Sequence, residues 1–361
     1  MRLLLLTLIF LGQDLVGPAR YTKKGVELGG KTVAWKDVAS LEETDADAKA
    51  EYAARKADDA APAQFELGRW CRDRGLEEEA SKHFARALEL DARHEPSLRA
   101  LGRAPDVVEA KRKSLGTLEF ADWCREGALV KEEWESLVAA LVKDAWNREA
   151  IRRVKPRTES RAGRTLLRPP FEGRWKGLVD TTGHHQIKVF AIHAIDFVRV
   201  DANGKIYSGS GKALADYFGY DQPVYAAADG DVLQADDRFA DLPPGRSGKF
   251  DEANFVTIKH SETEYTAYGH VRKGSVAVKV GDRVKKGDLI ARVGNSGASG
   301  LPHLHFTMQT PVYSGASGGW IGIPCRFGGF RLVDANGTAC SVDVKAARPQ
   351  EGWTMECPAP K

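Results

Sequence analysis

"GNSGASGLPHLHFTMQ", residues Gly294–Gln309, starts as a loop and finishes as a strand. Up to Gly300 the side chains are too small to cover a core, and glycine admits the tight turns such a loop needs. Beyond it Leu304 and Phe306 alternate with His303 and His305. In an extended chain successive side chains face opposite sides, so the two imidazoles share one surface and the two apolar groups share the other. An isolated H-x-H also occurs with no special role. Neutral histidine nitrogens are common zinc ligands, however, and imidazole titrates near neutrality, so the pair is a candidate metal site or acid/base pair.

Working outward, the same half contains "PVYAAADGDVL", "NFVTIKH", "TEYTAYGHV", "SVAVKV" and "DLIARVG", short β-rich runs separated by Gly and Asp. This spacing predicts an antiparallel β domain over residues 164–312, opening where Pro-Pro and Gly of "RTLLRPPFEGRW" end the helical periodicity. Residues 313–361 are expected to add strands to it, with Trp320 and Trp353 as core. Upstream, "PAQFELGRWCRDRGLEEEASKHFARALELD" predicts two helices broken at Gly75, with Ala80, Phe84, Ala87 and Leu88 on one packing stripe. "LEFADWCREGAL" at Leu118–Leu129 echoes "FELGRWCRDRGL" at Phe65–Leu76. The pair resembles a tetratricopeptide-type hairpin, although a stable solenoid wants three or more units. A helical module over 62–155 is expected, either a spacer or a docking point for a protein partner. The fold class is therefore α+β, a helical hairpin module followed by a predominantly antiparallel β domain.

A chain of 361 residues suits two or three domains, and a net charge of +3 argues for no nucleic-acid partner. "MRLLLLTLIFLGQDLVGPAR" reads as a secretory signal peptide over residues 1–19, with Gly17 and Ala19 at the −3 and −1 positions and an apolar run too short to span a bilayer. Residues 20–61 read as a short β and linker segment, loosest from Asp45 to Ala61. No later segment has the length of a membrane helix, so the expectation is a secreted or periplasmic protein with no integral membrane segment after cleavage. Such a compartment permits disulfides. Cys325, Cys340 and Cys357 lie close enough in sequence for a bridge, Cys71 and Cys124 sit in helical sequence, and no C-x-x-C pair suggests a zinc ribbon.

Seven of the nine histidines fall between His184 and His305. Their order is more specific than their number: "GHHQIKVFAIHAIDFV" with Asp196, then "NFVTIKHSETEYTAYGHV" with His270, then the H-x-H strand. Over roughly Val179–Gln309 this series resembles the M23 family of zinc metallopeptidases, the lysostaphin and LytM type that cut peptide cross-links of bacterial peptidoglycan. The resemblance implies Zn2+ held by His305 and Asp196, with His303 and His270 as catalytic imidazoles. The common family form has a histidine four residues before the aspartate, where this chain has Ile192. His193 stands three before it, which in a regular strand would face the other way. His184 and His185 lie further back. Family members with His-Gln well ahead of an "AIDF"-like segment favour His185 as the remaining ligand. Two histidines and one aspartate leave zinc an open position for a water whose pKa falls toward about 7. That water would attack the amide while His270 or His303 moves protons and stabilises the oxyanion.

Four further readings accompany this one. His260 is taken as structural or at the cleft edge, and "DRFADLPPGRSGKFDEAN", Asp237–Asn254, as a wall of the cleft. "VKVGDRVKKGDLIARVG" also resembles biotinyl and lipoyl carriers, but Lys285 and Lys286 lack the Met-Lys-Met type of flank and a carrier leaves the histidines unexplained. The alternative within the family is a degenerate domain that binds cell wall, or regulates another hydrolase, without cutting. The bond cleaved, whether in a glycine bridge or a D-alanyl or diaminopimelate cross-link, is set by loops that one sequence does not align.

Overall fold

The structure, a computed structural model, describes the chain except residues 1–3, 11–12, 23, 29–30, 46–51, 145, 160–162, 180–184, 186–187, 312–319, 335–338 and 360–361. The described residues divide into two compact units, one within 45–157 and the other within 4–44 and 158–361. The α+β class holds, helices in the first unit and mostly antiparallel sheet in the second. Among the described residues no helix is long and apolar enough to cross a membrane.

In the helical unit, Ala61–Asp73 and Glu77–Leu90 form a hairpin. Pro62 starts the first helix, where a missing N–H costs nothing, and three glutamates occupy the first turn of the second, facing its positive end. Phe65 and Phe84 meet between them with ring centroids 5.5 Å apart. The sequence echo is an echo in structure. Leu76 N donates to Cys71 O at 3.0 Å, and Leu129 N donates to Cys124 O at 2.9 Å, closing the same turn between Thr117–Glu126 and Val130–Lys143. Gly75 adopts φ +75° in the first turn and Ala128 φ +53° in the second. Cys71 and Cys124 are buried free thiols.

In the β unit the strand Leu304–Pro311 lies between Tyr265–Gly269 and Ile195–Arg199, antiparallel to both. Leu304, Phe306 and Met308 are fully buried, as the alternation requires. Phe306 packs against Tyr268 and Phe327 with centroids 5.3 and 5.2 Å apart. Gly173–Leu178 continues the sheet beyond Ile195–Arg199, and Thr354–Cys357 pairs with it in turn. Trp353 is buried and Trp320 is half-buried against Tyr265. Cys325 and Cys357 are buried free thiols; the side chain of Cys340 lies outside the described residues.

One arrangement differs from the linear division of the sequence. Val26, Val33, Trp35, Val38 and Leu41, in the segment read as β and linker, belong to the β unit's core. Val38–Asp45 pairs in parallel with Ala339–Ala346, so along the sequence the helical residues interrupt the stretches that form one sheet. Leu4–Phe10, within the stretch read as a leader, is extended and pairs with Gln13–Thr22.

Candidate metal and catalytic site

The site is built on one line of cross-strand pairs. Asp196 is paired with His305, and His305 with Gly269 on its other side. Glycine leaves room there: a Cβ at 269 would lie 3.3 Å from the Cβ of His305, a tight contact. The next residue, His270, follows the strand at φ +60°, a conformation uncommon for a side-chain-bearing residue and a known mark of functional sites.

Three imidazoles converge on one oxygen. Oδ1 of Asp196 is 2.9 Å from His305 Nδ1, 3.3 Å from His185 Nε2 and 3.4 Å from His303 Nε2. Ligand atoms of His185, Asp196 and His305 all lie within 4.8 Å of one another, as do those of His270, His303 and His305. His185 is 1% exposed. Of the three candidates for the remaining ligand, the structure therefore brings His185 to Asp196. His193 Nε2 instead meets Thr158 Oγ1 at 2.9 Å, and His184 lies outside the described residues. The donor set fits zinc, with neutral nitrogens and one carboxylate.

The two candidate catalytic imidazoles are held by backbone carbonyls. His270 Nδ1 donates to Ser296 O at 2.7 Å and His303 Nδ1 to Leu301 O at 2.8 Å. A carbonyl only accepts, so in the neutral ring each Nδ1 carries the proton and each Nε2 keeps its lone pair. Burial pushes His270 well below the usual histidine range, helped by His303 and His305. Burial likewise lowers His305, against the hydrogen bond to Asp196. For His303 burial also opposes protonation, but the charge of Asp196 and its hydrogen bond outweigh it and raise the pKa.

A buried polar network behind these rings escaped the sequence reading. Ser299 Oγ, 3.1 Å from His303 Nδ1, donates to Asn295 Oδ1 at 2.6 Å, and Asn295 Nδ2 donates to Leu242 O at 2.7 Å. Asn254 N donates to Ser296 Oγ at 3.0 Å, while its side chain joins Phe239 and Val271. The Gly-Ser loop is thereby fastened to the 237–254 segment. That segment also reaches the stretch preceding Asp196, where Phe250 lies 5.4 Å from Phe190 and beneath the Lys188 ammonium at 4.2 Å. Only the small polar residues of "GNSGASG" signal this network in sequence. His260 stands apart, its Nδ1 donating to Asp229 O and its Nε2 meeting Thr266 Oγ1, both at 2.8 Å.

Residues 214–316 match the model of Peptidase family M23. The chain carries an M23 peptidase domain. His185 and Asp196 precede the matched stretch, and sheet register carries Asp196 to His305. The chain is 32% identical over 135 residues to the peptidoglycan DD-endopeptidase ShyC of Vibrio cholerae, covering 35% of this chain and 28% of that protein. It is 32% identical over 87 residues to the cell division protein DipM of Caulobacter vibrioides, covering 24% of this chain and 12% of DipM. The match thus spans less than a third of either relative. Among solved structures, the antimicrobial peptidase lysostaphin from Staphylococcus simulans aligns at 18% identity and a TM-score of 0.26, over 42% of this chain and 50% of that one.

Proposed function

We propose that this protein is an exported zinc-dependent endopeptidase that hydrolyses peptide cross-links of bacterial peptidoglycan. The observation that carries the reading is the convergence of His185 and His305 on Asp196, with His270 and His303 alongside and their Nδ1 atoms tied to carbonyls. Zinc held by His185, Asp196 and His305 would supply a Lewis acid that lowers the pKa of water and polarises the scissile carbonyl. Nε2 of His270 and of His303 would divide the remaining work, the neutral ring accepting the proton of the attacking water and passing it to the leaving amine, the other, as an imidazolium, donating its Nε2–H to the oxyanion. The pairing of His305 with a strand on each side supports the reading, since it would hold His305 and Asp196 in register before substrate arrives. The cross-link substrate is supported by the likeness to ShyC, a peptidoglycan DD-endopeptidase.

The test is zinc content and hydrolysis of purified sacculi, measured together. Wild type should hold one zinc per chain and release cross-linked fragments. His185→Ala, Asp196→Ala and His305→Ala should weaken zinc binding, and His193→Ala should not. His303→Ala should keep zinc and lose hydrolysis. Zinc-loaded wild type that leaves every cross-link intact would refute the enzyme and leave a cell-wall binding domain.

A further inference from the structure

Between the strand carrying Asp196 and Tyr220 the chain makes an excursion that the proposed hydrolysis does not use, yet it is closely built. Phe218 N donates to Ile206 O at 3.1 Å, Ser208 N donates to Asp216 O at 2.9 Å, and Tyr207 bridges Tyr217 antiparallel. The Asp216 carboxylate gathers Ser210 Oγ at 3.2 Å, Lys212 N at 3.1 Å and Ala213 N at 3.2 Å. Gly211, at φ +66°, passes so near Tyr207 that a Cβ there would lie 2.8 Å from the ring.

What this framework presents is a pair of tyrosines, centroids 5.2 Å apart at 48°, with Tyr207 40% exposed. In the same excursion Asn203, Lys205, Ser208, Ser210 and Lys212 are exposed, and Tyr207 is the one large exposed hydrophobic residue among the described residues. An apolar peptide side chain would want an apolar pocket. Aromatic faces rimmed by hydrogen-bonding groups instead suit a sugar ring, whose C–H face packs on the ring while its hydroxyls and amides find polar partners. The base of the excursion adjoins the catalytic loop, since the Cβ position of Gly219 lies 3.6 Å from Pro302 O, one residue before His303. Tyr217 and Gly219 share one turn, closed by Tyr220 N donating to Tyr217 O at 3.1 Å.

We propose that Tyr207 and Tyr217 form a glycan subsite that stacks a pyranose of a β-1,4-linked N-acetylhexosamine strand. The choice of glycan rests on the peptidoglycan reading above, because the cross-link to be cut hangs from such a strand; the ring geometry does not depend on it. The subsite would hold the sugar while the attached peptide enters the metal site.

The experiment titrates the full-length chain with chitotetraose, a peptide-free N-acetylglucosamine oligomer, by calorimetry and by NMR of the tyrosine ring resonances. Wild type should bind saturably with shifts at Tyr207 and Tyr217. Tyr207→Ala should bind at least about tenfold more weakly, and Tyr207→Phe, which keeps the stacking face, within about twofold of wild type. Absence of saturable binding, of tyrosine shifts, or of a loss in Tyr207→Ala would each overturn the proposal, and the ring shifts decide it even where that variant fails to fold. Wild-type hydrolysis of a sugar-free cross-linked peptide is measured alongside. Tyrosine-dependent binding without hydrolysis would retain the subsite and sink the peptidase, and hydrolysis without binding would do the reverse.

Discussion

Asn254→Ala offers the sharpest test of how the site is held. Asn254 is fully buried. Its Nδ2 donates to Phe239 O at 2.8 Å and to Val271 O at 3.1 Å, and its Oδ1 accepts from Phe239 N at 2.9 Å. The substitution removes all three bonds. Val271 O keeps a partner in Ser296 Oγ at 3.1 Å, and Phe239 is half-buried, so water can reach part of what is lost. At about 0.5–1.5 kcal/mol net per bond, the expected cost is about 2–3 kcal/mol. Asn254→Asp keeps the acceptor for Phe239 N but turns carboxylate oxygens toward two carbonyls, and should cost at least as much. Because Val271 follows His270, the looser strand end should also lower kcat/KM on sacculi by about tenfold or more. Urea unfolding of the zinc-free protein, at unchanged m-value, measures the first effect. A loss below about 1 kcal/mol, or an aspartate variant as stable as wild type, would refute the claim that these bonds tie the loop to the site.

Gly269→Ala should crowd His305 at 3.3 Å, cost about 1–3 kcal/mol and release zinc to a chelator more readily than wild type does, read by competition with a colorimetric dye. His260, pushed down by burial against its hydrogen bond to Asp229, binds fewer protons in the folded chain than in the unfolded one. Its contribution is therefore complete above about pH 6.5 and is lost as pH falls through the lowered folded value, and His260→Gln should flatten that part of the acid limb in urea titrations. In the helical unit, Glu133 is 4% exposed, 3.8 Å from Arg153 and in contact with Arg157. Burial raises its pKa and the two arginines counter that. Glu133→Ala leaves them beside an empty place and should cost about 3–5 kcal/mol, seen as a lower helical transition by circular dichroism.

Local pattern was enough for much of this protein. A period of two put Leu304 and Phe306 in the core and His303 and His305 on the other face, because strand geometry alone dictates that alternation. The break at Gly75 and the echo of its segment at Leu118–Leu129 were legible for the same reason, turn chemistry being set within a few residues, while the turn at Ala128 came from the structure. Tertiary structure decided what depends on distant segments. Asp196 meets His305 across 109 residues through sheet register, which no window of sequence contains. The 3-10 turn Val189–Ala191 bends the chain ahead of Asp196, so strand parity does not settle which histidine comes near; His185 is folded in and His193 goes to Thr158. Asn254 looked like a loop residue until three segments closed around it. The segment read as β and linker became core for a similar reason: Trp35 meets Trp353 at 6.2 Å, and only the folded sheet brings the chain's two ends together.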